Sequence, residues 1–175
     1  SPWQAYLVTK VGNPPRYELT LASYKMNSYD EPTADGVTSF AMAPNGFGVV
    51  FASTSDDLVA NDTPGTMDIF YEFPASGYIL GITVDDDGLP ACPAVMNADN
   101  SMVAFVADGA LESWDTNGVP DVYIHDRNAN RNNNYDEGPD DIRKEVVSAS
   151  SSTADIVSLS GNYIAVGAGQ RLELV

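Results

Sequence analysis

Short apolar runs separated by turn residues dominate this chain. Each run spans four to six residues, is rich in β-branched and aromatic side chains, and is bounded by Gly, Pro, Asn or Asp. That pattern is typical of β-strands. No segment has the 3.6-residue apolar period, capped at both ends, that predicts a helix. The six clearest runs are residues 49–53, 69–73, 78–83, 102–106, 122–125 and 163–166.

Residues 140–160 are the one stretch that could pass for a helix, because they contain neither Gly nor Pro. Their centre, Val146-Val147-Ser148, contains two β-branched residues, and residues 150–153 are Ser-Ser-Ser-Thr. These features favour a strand followed by a loop. We therefore predict an all-β fold.

The middle of the chain contains an internal repeat of roughly 50 residues. Residues 43–53 (APNGFGVVFAS) align with residues 97–107 (NADNSMVAFVA), which matches Phe51 to Phe105. A third and weaker copy occupies residues 158–168 (SLSGNYIAVGA).

The repeat continues beyond its first strand. Residues 61–73 (NDTPGTMDIFYEF) align with residues 114–126 (WDTNGVPDVYIHD). The Asp and Gly residues in these segments predict turns, in which side chains bond to the backbone and Gly takes the positive φ. Two units of this length, each with about four strands, are typical of β-propeller blades.

The residues of this unit resemble the TolB-like (PD40/WD40-like) β-propeller repeat. Its turn corresponds to residues 43–46 (APNG) and 98–101 (ADNS), and its third strand opens at residues 67–70 (MDIF) and 120–123 (PDVY). Residues 115–127 (DTNGVPDVYIHDR) are similar to a blade found in secreted and surface proteins of this kind. Ser101 departs from the pattern, which has Gly at the end of the turn.

The resemblance implies a single β-propeller-like domain over residues 1–175, built of four-stranded antiparallel blades. We expect the outer strands of a partial blade in residues 1–36 and a blade in 37–91. A second blade with an inserted loop is expected in 92–153, and the start of the next in 154–175. These amount to about three blades. They would be half of a six-bladed ring, a fragment of one, or one partner in a ring closed by another copy.

The charge is lopsided, with 25 acidic against 8 basic residues and a net charge of −17. Such a surface repels nucleic acid and anionic membranes and attracts cations. It fits either a solvated secreted protein or a cation-linked role. No apolar run approaches the ~20 residues of a membrane helix, so we expect no membrane insertion. The resemblance implies a secreted, extracellular or cell-surface location, with the periplasm as an alternative.

Residues 126–137 (DRNANRNNNYDE) place side-chain oxygens at the spacing of an EF-hand-type calcium loop. Arg131 stands at position 6, where such loops carry Gly, and few formal charges face a cation, so we expect weak calcium affinity of roughly 10⁻⁴–10⁻³ M. The alternative is an Asn-rich turn whose amides bond their own backbone. The predicted Ca²⁺ ligands are Asp126, Asn128, Asn130, Asn132, Asn134 and Glu137.

Residues for catalysis are sparse. The single histidine, His125, is expected to be half-exposed at a strand end, and no G-x-S-x-G nucleophile motif occurs. Carboxylates are plentiful, but we expect them to lie on turns and stay ionised, with none in an apolar setting that raises its pKa. The lone Cys92 is expected to be a small buried residue. Most aromatic residues are expected to pack between strands.

These observations favour a non-catalytic extracellular module that binds a protein partner or copies of itself and is stabilised by calcium. The alternative is a carbohydrate- or peptide-recognising propeller domain of a secreted hydrolase. Neither hypothesis involves nucleic acid.

Overall fold

The structure of the chain is a computed structural model that describes residues 2–28, 30–60, 62–73, 77–83, 90–113, 115–136, 143–146, 154–160 and 163–168. These residues form strands, turns and bends, and none of them is helical, which confirms the all-β prediction. Within the same ranges, no helix has the length and apolar character needed to cross a membrane. The strands are β1 (Tyr6–Val11), β2 (Arg16–Leu21), β3 (Ser39–Met42), β4 (Val49–Ser53), β5 (Asp68–Phe73), β6 (Tyr78–Gly81), β7 (Pro90–Met96), β8 (Met102–Ala107), β9 (Asp121–Asp126), β10 (Arg143–Val146), β11 (Ala154–Ser160) and β12 (Tyr163–Ala168).

The strands form four antiparallel sheets in which each strand pairs with its neighbours along the chain. The N-terminal hairpin is β1-β2, and the C-terminal hairpin is β11-β12. Between them in sequence lie the first sheet, β3-β4-β5-β6, and the second sheet, β7-β8-β9-β10. Because the strands pair in chain order, each sheet is specified by a local stretch of sequence.

The sequence repeat corresponds to a repeated sheet with the same register. Phe51 of β4 pairs with Phe70 of β5, and Phe105 of β8 pairs with Tyr123 of β9. Both pairs are stacked, with ring centroids 5.6 and 6.1 Å apart. Phe51 and Phe105 therefore occupy the same position in two equivalent sheets, as the alignment predicted.

Two apolar layers hold the sheets together. The inter-sheet layer lies between the first and second sheets and includes Val50, Tyr71 and Phe105. The hairpin layer covers the other face of the first sheet, where Phe51 and Phe70 pack near Leu21 and Tyr24 of the N-terminal region. The first sheet is thus buried on both faces, which explains why its central strands are almost continuously apolar rather than alternating.

The repeated Asp-Gly segments form turns, as predicted. Gly65 and Gly118 have φ angles of 80° and 70°. The Asn117 side chain accepts a hydrogen bond from the N–H of Val119 at 3.0 Å and donates one to Asp121 at 2.5 Å. In these turns the polar side chains form hydrogen bonds with the backbone and with the first residue of the following strand.

Gly48 leaves no room for a side chain beside the ring of Tyr71. A Cβ at this position would lie 2.4 Å from Cε2 of the Tyr71 ring. We expect Gly48→Ala to destabilise the protein by about 1–3 kcal/mol, because the ring is buried and cannot move aside. Urea denaturation measures the loss. The same substitution in a Tyr71→Leu background should cost far less; an equal cost in both backgrounds would contradict the proposed clash.

Candidate functional site

The loop after β9 has a base closed by backbone hydrogen bonds. β9 ends at Asp126, which pairs with Met102 of β8 and Arg143 of β10. The N–H of Arg127 then donates to Ser101 O at 2.8 Å, and the N–H of Asp136 donates to Arg127 O at 2.9 Å. The chain therefore leaves the second sheet and returns to the same point, with residues 128–135 in between.

Side-chain oxygens within the loop accept hydrogen bonds from its own backbone. Asp126 Oδ1 accepts from the N–H of Asn128 at 3.0 Å, and Asn130 Oδ1 accepts from Asn132 at 2.9 Å. Asn132 Oδ1 accepts from Asn134 at 2.7 Å. These are successive Asx turns, the arrangement named above as the alternative to a calcium loop. Each oxygen has a second lone pair, so a cation ligand role is compatible with the same turns.

Arg131 adopts the backbone conformation that Gly would supply at this position. Its φ is 62°, and Asn133 follows with a φ of 66°. Its exposed guanidinium lies 2.9 Å from Asp126 Oδ2. A cation at the first predicted ligand would have to compete with this positive side chain.

The predicted calcium ligands differ in their burial. Asp126 and Asn128 are buried, while Asn130, Asn132 and Asn134 lie exposed along the loop. Glu137, the closing carboxylate, lies outside the described residues. Within the described ranges, no three His, Cys, Asp or Glu side chains form a group that could hold a metal ion. The calcium site stays a prediction.

A buried arginine fastens this loop to both sheets. Arg127 donates from Nε and Nη2 to Asp136 Oδ2 at 2.8 and 2.6 Å, and from Nη1 to Asn100 O at 2.9 Å. Its guanidinium carbon lies 3.9 Å from the centre of the Tyr71 ring in the first sheet. The side chain is only 7% exposed. We call Arg127, Asp136, Asn100 and Tyr71 the arginine clamp.

His125 borders the clamp. Its Nε2 lies 3.8 Å from Asp136 Oδ1, and the residue is 3% exposed. The prediction that His125 would be half-exposed is wrong, because the returning loop brings Asp136 back beside the end of β9. Burial alone would raise the pKa of Asp136, but the neighbouring His125, together with the hydrogen bonds and charge of Arg127, holds it below its ordinary value.

Two carboxyl groups overturn the expectation that every acid stays ionised at a surface turn. Glu72 of β5 is 2% exposed and sits opposite Val49 and Ile79 in the register. Burial raises its pKa to about 7, and its Oε2 has no hydrogen-bond partner among the described residues. Burial and then the neighbouring Asp68 raise the pKa of Asp62 to about 6.

The clamp was not predicted from the sequence, where Arg127 stood out only as the last residue of the segment 115–127 (DTNGVPDVYIHDR). The sequence feature that could have indicated the clamp is the placement of Arg127 and Asp136 at opposite ends of one loop. When the loop closes, these two residues come together. The Tyr71 partner lies in the other repeat and carries no local signal.

Comparison of the chain with protein-family models found no match, and comparison with curated proteins found none either.

Removing the clamp arginine should be costly. Arg127→Met leaves the mostly buried Asp136 without its main partner, so we expect a loss of about 3–5 kcal/mol in the free energy of unfolding. Arg131→Met is the matched control, because it removes an arginine on the same loop whose side chain is 61% exposed, and it should cost under about 1 kcal/mol. Urea denaturation compares the two. Similar losses for both variants would contradict the role of the clamp.

Stability should fall as pH rises, through Glu72. Its native pKa of about 7 lies above the ordinary 4.5, so the native state binds the extra proton and is favoured below pH 4.5. That advantage is lost between pH 4.5 and 7. Glu72→Gln should therefore be more stable than the parent at pH 8, by up to about 3 kcal/mol, with the difference vanishing near pH 4.

Urea denaturation across this pH range measures the effect of Glu72→Gln. Glu18→Gln, at an exposed position of β2, is the control and should leave the pH profile of the parent unchanged. A Glu72→Gln profile parallel to that of the parent would show that Glu72 titrates normally in the native state.

Proposed function

We propose that this chain is a non-catalytic, extracellular β-propeller-type module that binds a protein partner or further copies of itself. The observation that carries the proposal is the pair of four-stranded sheets, stacked face to face with equivalent registers. Repeated four-stranded antiparallel sheets are typical of propeller blades, which supports the proposal. The resemblance to TolB-like repeats supports the same assignment and a location outside the cell.

A module of this kind acts by holding loops rigidly for a partner. The loop at residues 128–135 is anchored at both ends by the arginine clamp, yet residues 130–135 are exposed. A firmly held, amide-rich loop offers donors and acceptors for a protein surface at little cost in conformational entropy. Binding loops on rigid β scaffolds follow this logic.

Calcium is the proposed stabiliser of that loop. Asp126 supplies a carboxylate, and Asn128 and Asn130 supply amide oxygens, which are ligands that Ca²⁺ accepts. Their Asx turns already fix the loop backbone and leave lone pairs for an ion. Arg131 opposes the ion, so binding in the millimolar range fits the charge balance.

Thermal and urea unfolding with and without Ca²⁺ test the proposal. With a Kd of about 1 mM, 10 mM Ca²⁺ should stabilise the native state by about 1.4 kcal/mol. Because the chain carries a net charge of −17, NaCl of matched ionic strength must be the reference. Asp126→Asn keeps the Asx turn but removes the charge, so it should abolish most of the increment.

Two further variants make the calcium test specific. Asp56→Asn removes an exposed carboxylate far along the chain and should leave the increment intact. Arg131→Gly suits the positive φ and removes the competing charge, so it should tighten calcium binding by about threefold or more. An increment that is equal in parent, Asp126→Asn and Arg131→Gly would rule calcium out of this loop.

A further inference from the structure

The edge of the first sheet at β6 borders a cavity. β6 is the last strand of that sheet, and among the described residues it pairs only with β5. A cavity of about 560 Å³ lies along the strand, and its lining is shared between β6, residues 24–27 and residues 58–60. Cavities of roughly 300–1,000 Å³ are typical of binding sites in proteins.

Half of the backbone groups of β6 point to the open edge. The N–H of Ile82 donates to Ile69 O at 2.8 Å, and hydrogen-bonded pairs alternate along an antiparallel ladder. Going back from Ile82, the N–H and C=O groups of Leu80 therefore point to β5. Those of Ile79 and Gly81 point the other way, where no described strand pairs with them.

The lining of the cavity is largely apolar. Leu58 and Tyr24 are 1% and 5% exposed, and they line the cavity together with Ile79. The N–H of Met26 donates to Asp57 O at 2.7 Å, which joins the two loop segments that lie across from β6. Met26 itself is 46% exposed. Apolar surface is therefore accessible beside an open strand edge.

This combination determines the shape of an occupant. The unpaired N–H and C=O groups of an edge are satisfied by the backbone of a further strand. Directly opposed residues of neighbouring strands share a face, so a residue opposite Gly81 would project to the face on which Ile79 lies. Gly81 has no side chain of its own on that face. The site therefore fits an extended segment with a bulky apolar side chain.

Charge distinguishes a foreign segment from a second copy of this chain. The exposed Asp56 and the partly exposed Asp57 precede Leu58. Lys25 is the cation beside them, and its Nζ lies 3.9 Å from carboxylate oxygens of both Asp57 and Glu31. The whole chain carries a net charge of −17, so two copies repel each other, whereas a basic segment is attracted.

We propose that the open edge of β6 binds, by strand addition, an extended segment of a partner protein that carries a bulky apolar residue flanked by Lys or Arg. The apolar side chain enters the cavity, and the backbone of the segment pairs with the N–H and C=O groups of Ile79 and Gly81. This inference rests on the protein-partner arm of the proposed function and names the class of partner.

A synthetic peptide tests the side-chain contact. It carries a central Phe with Thr on either side, then Val, and Lys at both ends, and its binding is followed by fluorescence anisotropy. Replacement of the Phe by Ala should weaken binding by about tenfold or more, because the aromatic ring is the group that the cavity buries. Replacement of both Lys by Glu should also weaken it, most strongly at low salt.

N-methylation of the peptide tests the backbone contact. Successive N–H groups of an extended peptide point to opposite edges, so methylation of alternate residues blocks one edge and leaves the other free. Of the two alternately methylated peptides, one should bind like the parent peptide and the other at least about tenfold more weakly. Equal affinities of the two, whether high or low, would overturn strand addition.

Met26→Glu tests the location of the site. It places a carboxylate beside the apolar cavity and should weaken binding of the Phe peptide by about tenfold or more. Met42→Glu is the matched control, because it makes the same change at a methionine that is 56% exposed on β3, at the other edge of the first sheet. It should leave the affinity nearly unchanged, and equal effects of the two variants would contradict a site at β6.

Light scattering of the protein without peptide covers the other occupant. A parent dimer that Met26→Glu dissociates and Met42→Glu does not would assign the cavity to a second copy and overturn the foreign segment. No binding of the Phe peptide, with calcium stabilisation of the loop intact, would overturn the site at β6 while leaving the proposed module and its loop standing.

Discussion

A sheet that is apolar on both faces must be covered on both faces, and this requirement governs the whole stack. Strands β4 and β8 are buried along their full length, so no face of their sheets can be left to water. The second sheet and the N-terminal hairpin cover the first sheet, and β11 covers the second. Repetition is the simplest solution, because each unit covers its neighbour with the same sequence pattern.

The arginine clamp adds buried polar contacts to the apolar contacts between the sheets. Arg127 is buried only because a carboxylate, a carbonyl oxygen and an aromatic face meet it together. The clamp joins a loop of the second sheet to Tyr71 of the first, so it orients one unit relative to the next more sharply than apolar contact can. The same contacts hold the Asn-rich loop in place, which links the packing of the units to the surface offered to a partner or an ion.

The positions of β4, β5, β6, β8, β9 and β12 could be predicted from sequence because each of these runs has its own β-branched residues and turn boundaries. The internal repeat also gave the equivalence of Phe51 and Phe105, since a pairing register recurs with the residues that specify it. The burial of Glu72 and His125 could not be predicted. Each depends on which face of a strand meets a segment distant in the chain. Tyr71, the partner of Arg127 in the first sheet, could not be predicted for the same reason.

Coverage on both faces makes a direct prediction for β4 and β8. Native-state amide hydrogen exchange in increasing urea measures the free energy of opening of each strand. Because both strands are buried along their full length, their amides should exchange only through global unfolding, with the same free energy of opening. Exchange of either strand through a local opening of much lower free energy would show that its sheet does not depend on being covered.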